Sequence, residues 1–225
     1  MKKILLIGGS GNLGSELLKI NSDFLTPSSK ELDITNTDNL KKYFKGKDIA
    51  VVVNCAAITN TSLCEKEISK SLLVNTSGPI NLMIMQEVFG FKIVHISTDY
   101  VFDGEKGNYK TSDPINPISN YAKSKAAAEL ITRMNQDNLI IRTSFFPRVF
   151  PHDKAFVDQY TSKDFVDIIA PNIYKLIMSE CKGVVHVGTE KDTVYNKVKK
   201  RKPDVQKISR DEIKSVFIPR DVSLF

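Results

Sequence analysis

No tryptophan occurs among the 225 residues, and cysteine and histidine are each present only three times. The cysteines, Cys55, Cys64 and Cys181, are odd in number and widely spaced. That argues against a disulfide framework and against the paired ligands of a structural zinc site, and it suits a reducing cytosol. The histidines, His95, His152 and His186, stand singly, and two of them lie inside apolar strand-like runs, so they read as core or rim residues and no metal site is expected. Long apolar runs are missing as well. Ile4–Ile7 is far too short for a signal-peptide core or a membrane span. The expectation is a cytoplasmic protein with no membrane association.

What is present is an ordinary globular composition, 41% hydrophobic with a net charge of +6. The length suits one large domain. The positive excess gathers late, around Lys197-Val198-Lys199-Lys200-Arg201-Lys202. It reads as a solvated helix end and loop, or as a weak field favouring an anionic substrate such as a diphosphate. No nucleic-acid-binding module accompanies it, so no nucleic-acid partner is expected.

Apolar strand-like runs alternate with amphipathic helix-like ones. Strands are expected at Lys3–Ile7, Ile49–Val53, Phe91–Ile96, Leu139–Ile141 and Val184–Val187. Helices are expected at Leu13–Ile20, Thr37–Phe44, Leu63–Leu73, Pro79–Phe89, Ile118–Met134 and Lys163–Met178. A second strand should end near Leu25. Continuous Val/Ile/Leu strands between helices indicate an α/β fold with a parallel sheet covered on both faces. Asp103–Pro117 reads as a loop over the active site, and Arg142–Asp158 as irregular.

Directly after the first strand comes Gly8-Gly9-Ser10-Gly11-Asn12-Leu13-Gly14. The spacing of Gly8, Gly11 and Gly14 differs from the dehydrogenase G-x-G-x-x-G, but small residues here let the backbone approach a pyrophosphate at a helix N-terminus. The second strand ends in Thr26-Pro27-Ser28-Ser29-Lys30, with no carboxylate before Glu31. Two hydroxyls and an ammonium there suit a 2′-phosphate, which favours NADPH over NADH. Asp33 is a candidate adenine contact or simply a turn aspartate. Later, Tyr121 and Lys125 stand four residues apart on one face of a helix. A phenol beside an ammonium is a proton donor, since the positive charge favours phenolate and lowers the tyrosine pKa. Ser97-Thr98 supplies hydroxyls upstream.

These segments resemble the extended short-chain dehydrogenase/reductase superfamily, and within it the dTDP-4-dehydrorhamnose reductases. The resemblance is carried by Glu31-Leu32-Asp33-Ile34-Thr35, Val53-Asn54-Cys55-Ala56-Ala57, Ser97-Thr98-Asp99-Tyr100-Val101-Phe102-Asp103-Gly104, Asn120–Lys125 and Ile141-Arg142-Thr143-Ser144. Asp158-Gln159 and Pro219–Leu224 are similar to later elements of that family. The resemblance implies a Rossmann fold over residues 1–145 and a shortened substrate-binding region over 146–225, interleaved with the last strands and helices. It implies a nucleotide-linked 4-keto-6-deoxysugar reduced at C4, with Tyr121 as proton donor, Lys125 on the nicotinamide ribose and Thr98 on the carbonyl. Gly8, Ser10, Gly11, Asn12, Leu13, Asp33, Ile34, Ala56, Ala57, Ser97, Tyr121 and Lys125 would contact NADP or NAD. Tyr100, Phe145 and Arg220 would contact substrate. Phe145 stands where the family tends to place a tryptophan, and offers less area and no N–H. A homodimer is compatible with the resemblance, the family sometimes using a glutamate such as Glu16 at a subunit contact, though Glu16 reads first as a solvated helix glutamate. Two alternatives remain open: a bifunctional epimerase/reductase, for which no second acid/base pair is evident, and a non-catalytic cofactor-binding regulatory subunit.

Overall fold

A computed structural model describes residues 3–225. Five parallel strands form the central sheet in chain order: β1 (Lys3–Ile7), β2 (Ile49–Asn54), β3 (Lys92–Thr98), β4 (Leu139–Thr143) and β5 (Gly183–Val187). The expected second strand is reduced to a single bridge. Leu25 pairs with Leu5 on the free edge of β1, exchanging hydrogen bonds of 2.8–2.9 Å with Ile4 and Leu6. Pro27, with no N–H to donate, follows two residues later and cannot extend the ladder. After β1 the chain therefore goes first to one side of that strand, at Leu25, and then to the other, at β2. The reversal leaves a crevice at the carboxyl ends of β1 and β2, where open α/β sheets bind ligands.

Strand alternation sorts the core into two layers. Leu6, Val53, Val94 and Ile141 face helices α1 (Asn12–Ile20) and α7 (Val166–Ile177), meeting Leu13, Leu17, Ile169 and Ile173. Leu5, Ile7, Val52 and Ile93 face α2 (Thr37–Phe44) and α5 (Gly78–Phe89), meeting Leu40, Phe44, Leu82 and Met85. The expected helix Leu63–Leu73 is broken at Glu67 into α3 (Thr61–Lys66) and α4 (Ile68–Leu72), and a π-helical turn at Leu73–Ser77 leads into α5. Helix α6 (Asn120–Thr132) starts at Ser119, whose hydroxyl accepts the N–H of Ala122 at 3.2 Å.

Beyond β4 the structure is more regular than expected. Two- and three-residue strands pair Phe145–Phe146 with Asp164–Phe165, Lys154–Phe156 with Gln206–Ile208, and Tyr160–Thr161 with Asp192–Thr193. A small core of Phe146, Phe165, Val194 and Val198 unites them. Helix α7 begins at Val166, not Lys163. The basic run is not simply solvated. Lys197 is buried and donates to Thr189, Arg201 forms a two-pronged pair with Asp167, and Lys202 pairs with Asp153. Among the described residues no helix is long and apolar enough to cross a membrane, and no cluster of three metal-ligating side chains occurs.

Candidate active site

The crevice is a cavity of about 460 Å³. One end is the glycine turn. Gly8 adopts φ +83°, and a Cβ there would stand 2.8 Å from the backbone nitrogen of Ala56, so only glycine lets β1 end this close to the turn after β2. At Gly14 a Cβ would lie 2.3 Å from the carbonyl oxygen of Gly8, so the helix can seat against the turn only without a side chain. The α1 N-terminus has no side-chain cap and no acidic residue in its first turn. Its free N–H groups and positive dipole end are left for an anion.

The other end carries the proton-transfer candidates. β3 delivers Ser97 and Thr98 at its carboxyl end, both buried. The Thr98 hydroxyl accepts the N–H of Tyr100 at 3.2 Å, turning the chain into a short 3₁₀ helix, Asp99–Val101. Tyr121 comes from the first turn of α6, and its ring meets that of Tyr100 edge-on, with centroids 6.3 Å apart. Thr98, Tyr100, Tyr121, Lys125 and Phe145 all line the cavity with Gly8, Gly11, Asn12, Leu13 and Ala57. Ser97 also lines it, but its hydroxyl is committed to Glu129 at 2.8 Å.

Lys125 departs from the sequence reading. Its ammonium donates to the carbonyl of Ile96 at 2.7 Å and lies 3.3 Å from Nε2 of His95; no hydrogen bond joins it to Tyr121. Burial drives the phenol of Tyr121 above its ordinary value, opposed by the Thr98 hydroxyl. The expected lowering by Lys125 is therefore absent from this arrangement, because the lysine's long stem carries its charge toward the sheet. Burial lowers Lys125 itself to about 8, and the nearby Cys55 and Glu129 pull it back upward. Burial also holds His95 well below its usual range, with Lys125 adding to the effect.

Several assigned residues lie elsewhere. Asp33 spends a carboxylate oxygen on the N–H and hydroxyl of its neighbour Thr35, at 2.9 and 2.7 Å, as a turn aspartate does. Ile34 is core, packed on α5 at Gly78. Ser10 is exposed at the tip of the turn, and Ala56 backs Gly8 from behind. Arg220 is exposed on the C-terminal strap and is not part of the cavity wall. Glu16 is bound within its own chain by Arg148, at 3.1 and 2.7 Å, which with Lys19 holds its carboxyl at about 2.

The structure adds residues that the sequence did not single out for the site. Asp99 is fully buried and accepts from the hydroxyls of Ser144 and Thr98. Burial raises its pKa against the pull of Lys163 and these hydroxyls. Lys163 enters the cavity with its ammonium 4.7 Å from the centre of the Tyr100 ring. Thr143, at the end of β4, lines the cavity with a hydroxyl that has no hydrogen-bond partner, alone in this among the buried side chains described. Asp99 and Thr143 lie inside segments that carry the resemblance without being singled out there, and no local motif marks Lys163.

Comparison with known proteins agrees with this architecture. The chain is 36% identical over 213 residues to the spore coat polysaccharide biosynthesis protein SpsK of Bacillus subtilis, covering 84% of this chain and 74% of that protein. It is 34% identical over 182 residues to a dTDP-4-dehydrorhamnose reductase of Aggregatibacter actinomycetemcomitans, covering 77% of this chain and 62% of the relative. A crystal structure of dTDP-4-dehydrorhamnose reductase from Bacillus anthracis in complex with NADP superposes with a TM-score of 0.89 at 25% identity, over 100% of this chain and 91% of the other. The sequence profile of the RmlD substrate binding domain matches residues 1–163. With glycine turn, Rossmann-type sheet and relatives in agreement, the chain belongs to the RmlD substrate binding domain family.

Proposed function

We propose that this protein is an NAD(P)H-dependent reductase of the C4 keto group of a nucleotide-linked 4-keto-6-deoxysugar, with Tyr121 as proton donor. The observation that carries this reading is a single cavity joining an anion-receptive glycine turn to Thr98 and Tyr121. The names of the curated relatives support the substrate class.

A dinucleotide fits the residues present. The glycine turn and the uncapped α1 N-terminus suit its pyrophosphate. The unpartnered Thr143 hydroxyl offers a polar contact deeper in the cavity. Ser28 and Lys30 follow the Leu25 bridge to β1; Ser28 binds Glu31 through both its N–H and its hydroxyl at 2.8 Å. Bound here, a reduced nicotinamide supplies the hydride.

The chain's own groups supply the rest. As hydride adds to the carbonyl carbon, charge builds on oxygen and a matched donor must meet it. The Tyr121 phenol, kept neutral by burial, gives that proton, and the Thr98 hydroxyl, which here donates to Asp99, turns to donate to the same oxygen. Lys125, one helical turn on and with its ammonium turned to the Ile96 carbonyl, is not paired with that phenol, and lines the same cavity where the nicotinamide ribose would lie. Walls of Tyr100, Phe145 and Pro147 exclude water from the sugar.

The test is absorbance of NADPH or NADH with a dTDP-4-keto-6-deoxysugar. Turnover is expected in the wild type, and Tyr121→Phe should lower kcat by about 10²–10⁴-fold while still binding cofactor. Cofactor binding with no turnover on such sugars would remove the reductase reading.

A further inference from the structure

Lys163 is the element of the cavity that the proton-transfer chemistry leaves unused. Its backbone is fixed on both sides. Tyr160–Thr161 before it pairs with Asp192–Thr193, and Asp164–Phe165, beginning with the next residue, pairs with Phe145–Phe146. Its own N–H donates to Thr161 Oγ1 at 3.0 Å. Ser162 packs so closely on Gly188 that a Cβ at the glycine would stand 2.7 Å from the serine Cβ. The point from which the side chain is launched is therefore fixed.

Its tip is a cation in a cavity wall. No carboxylate among the described residues forms an ion pair with it. Burial opposes its charge, and the nearby Tyr100 and Asp99 more than offset that, while the ammonium lies 4.7 Å from the Tyr100 ring centre. The cavity's other lysine, Lys125, is committed to Ile96 and His95. Lys163 is therefore the cation of the described cavity wall whose ammonium is hydrogen-bonded to no carbonyl or carboxylate, and it stands beside Tyr100, which in turn meets Tyr121.

We infer that Lys163 binds the diphosphate of a nucleotide-linked substrate and thereby orients the sugar. A nucleotide sugar carries its diphosphate on C1, across the ring from C4. An anion held at Lys163, against one side of Tyr100, turns C4 toward Tyr121, whose ring meets the same tyrosine edge-on. The choice of anion rests on the reductase reading. Arg220, which the resemblance offered as a substrate contact, lies outside the cavity wall, whereas Lys163 is part of it.

Calorimetric titration of the full chain, saturated with NADP, with dTDP and with thymidine tests this. The wild type should prefer dTDP. Lys163→Met should weaken dTDP binding about tenfold or more, the range of a lost hydrogen bond to a charged group, and leave thymidine and NADP binding unchanged. Lys163→Arg should keep most of the dTDP affinity, which a merely structural role for the lysine stem would not require. Equal dTDP affinity in wild type and Lys163→Met, or a wild type that does not distinguish dTDP from thymidine, would overturn the inference. A Lys163-dependent preference for dTDP in a protein that reduces no keto sugar would uphold it and remove the reductase reading instead.

Discussion

The ammonium of Lys125 is hydrogen-bonded to the backbone carbonyl of Ile96 at 2.7 Å, beneath the sheet end that carries Ser97 and Thr98. A charge so placed is held at a cost in desolvation. Its pKa is lowered to about 8 from an ordinary 10.5, chiefly by burial. Between those two values the unfolded chain binds more protons than the native one, so this group makes stability rise with pH across that window. Below about pH 8 both states are protonated and the full cost applies.

Lys125→Met should therefore raise the melting temperature at pH 7 while abolishing turnover. The gain over wild type should shrink as pH climbs from about 8 toward 10.5. Thermal melts of both proteins across this range check it. A variant no more stable than wild type at pH 7 would show that the Ile96 and His95 contacts outweigh the burial.

Gly14→Ala tests the turn. The added Cβ would meet the Gly8 carbonyl oxygen at 2.3 Å and the Gly9 Cα at 2.6 Å, both backbone atoms that cannot rotate away. Either α1 lifts from the turn or the turn opens, and both spoil the cradle for a pyrophosphate. Cofactor affinity, read by NADPH fluorescence, should fall by about tenfold or more, equivalent to ~1.4 kcal/mol or greater. Ala at Gly46, where no atom lies within 4 Å of a new Cβ, should leave cofactor binding unaltered despite the strain of φ +75°.

The sheet was legible because buried parallel strands are continuous apolar runs, and Ile4–Ile7, Val51–Val53 and Leu139–Ile141 could be little else. The glycine turn was legible because its constraints are local, two glycines meeting within seven residues. The place of the edge strand was legible at Leu25, but not its reduction to a single bridge, since one bridge has no periodicity. The Tyr121–Lys125 spacing gave the shared helix face correctly but not the direction of the lysine head, which the Ile96 carbonyl decides. Lys163 escaped because the wall around it is assembled by two-residue strand pairs such as Phe145–Phe146 with Asp164–Phe165, too short to pattern a sequence, while Asp99 and Thr143 stood in motif segments but owe their burial and the free hydroxyl to tertiary packing.

The buried pair of Glu129 and Arg142 should be the costliest polar pair to break. Arg142 meets the carboxylate through Nε and Nη2, the latter at 2.6 Å, and both side chains are almost wholly shielded. Ser97 hangs on the same carboxylate. Glu129→Gln leaves a buried guanidinium without its counter-charge and should cost about 3–5 kcal/mol in urea unfolding. Adding Arg142→Met should recover part of that loss. A Glu129→Gln protein of wild-type stability would show that Thr111, His186 and the Phe102 face suffice for the guanidinium.

Thr143 separates stability from binding. Its hydroxyl is buried at the cavity wall and bonded to nothing in the chain, a state that costs about 1–3 kcal/mol for a polar group. Valine has the same shape and no such debt. Thr143→Val should stabilise the ligand-free protein by about 1 kcal/mol, seen as a higher melting temperature. If the hydroxyl is held in reserve for a ligand, the same change should weaken binding of NADPH or of the substrate several-fold, so that the advantage in melting temperature narrows when that ligand is present at saturation. An unpartnered hydroxyl with no ligand role would leave the two melting curves equally separated with and without ligand.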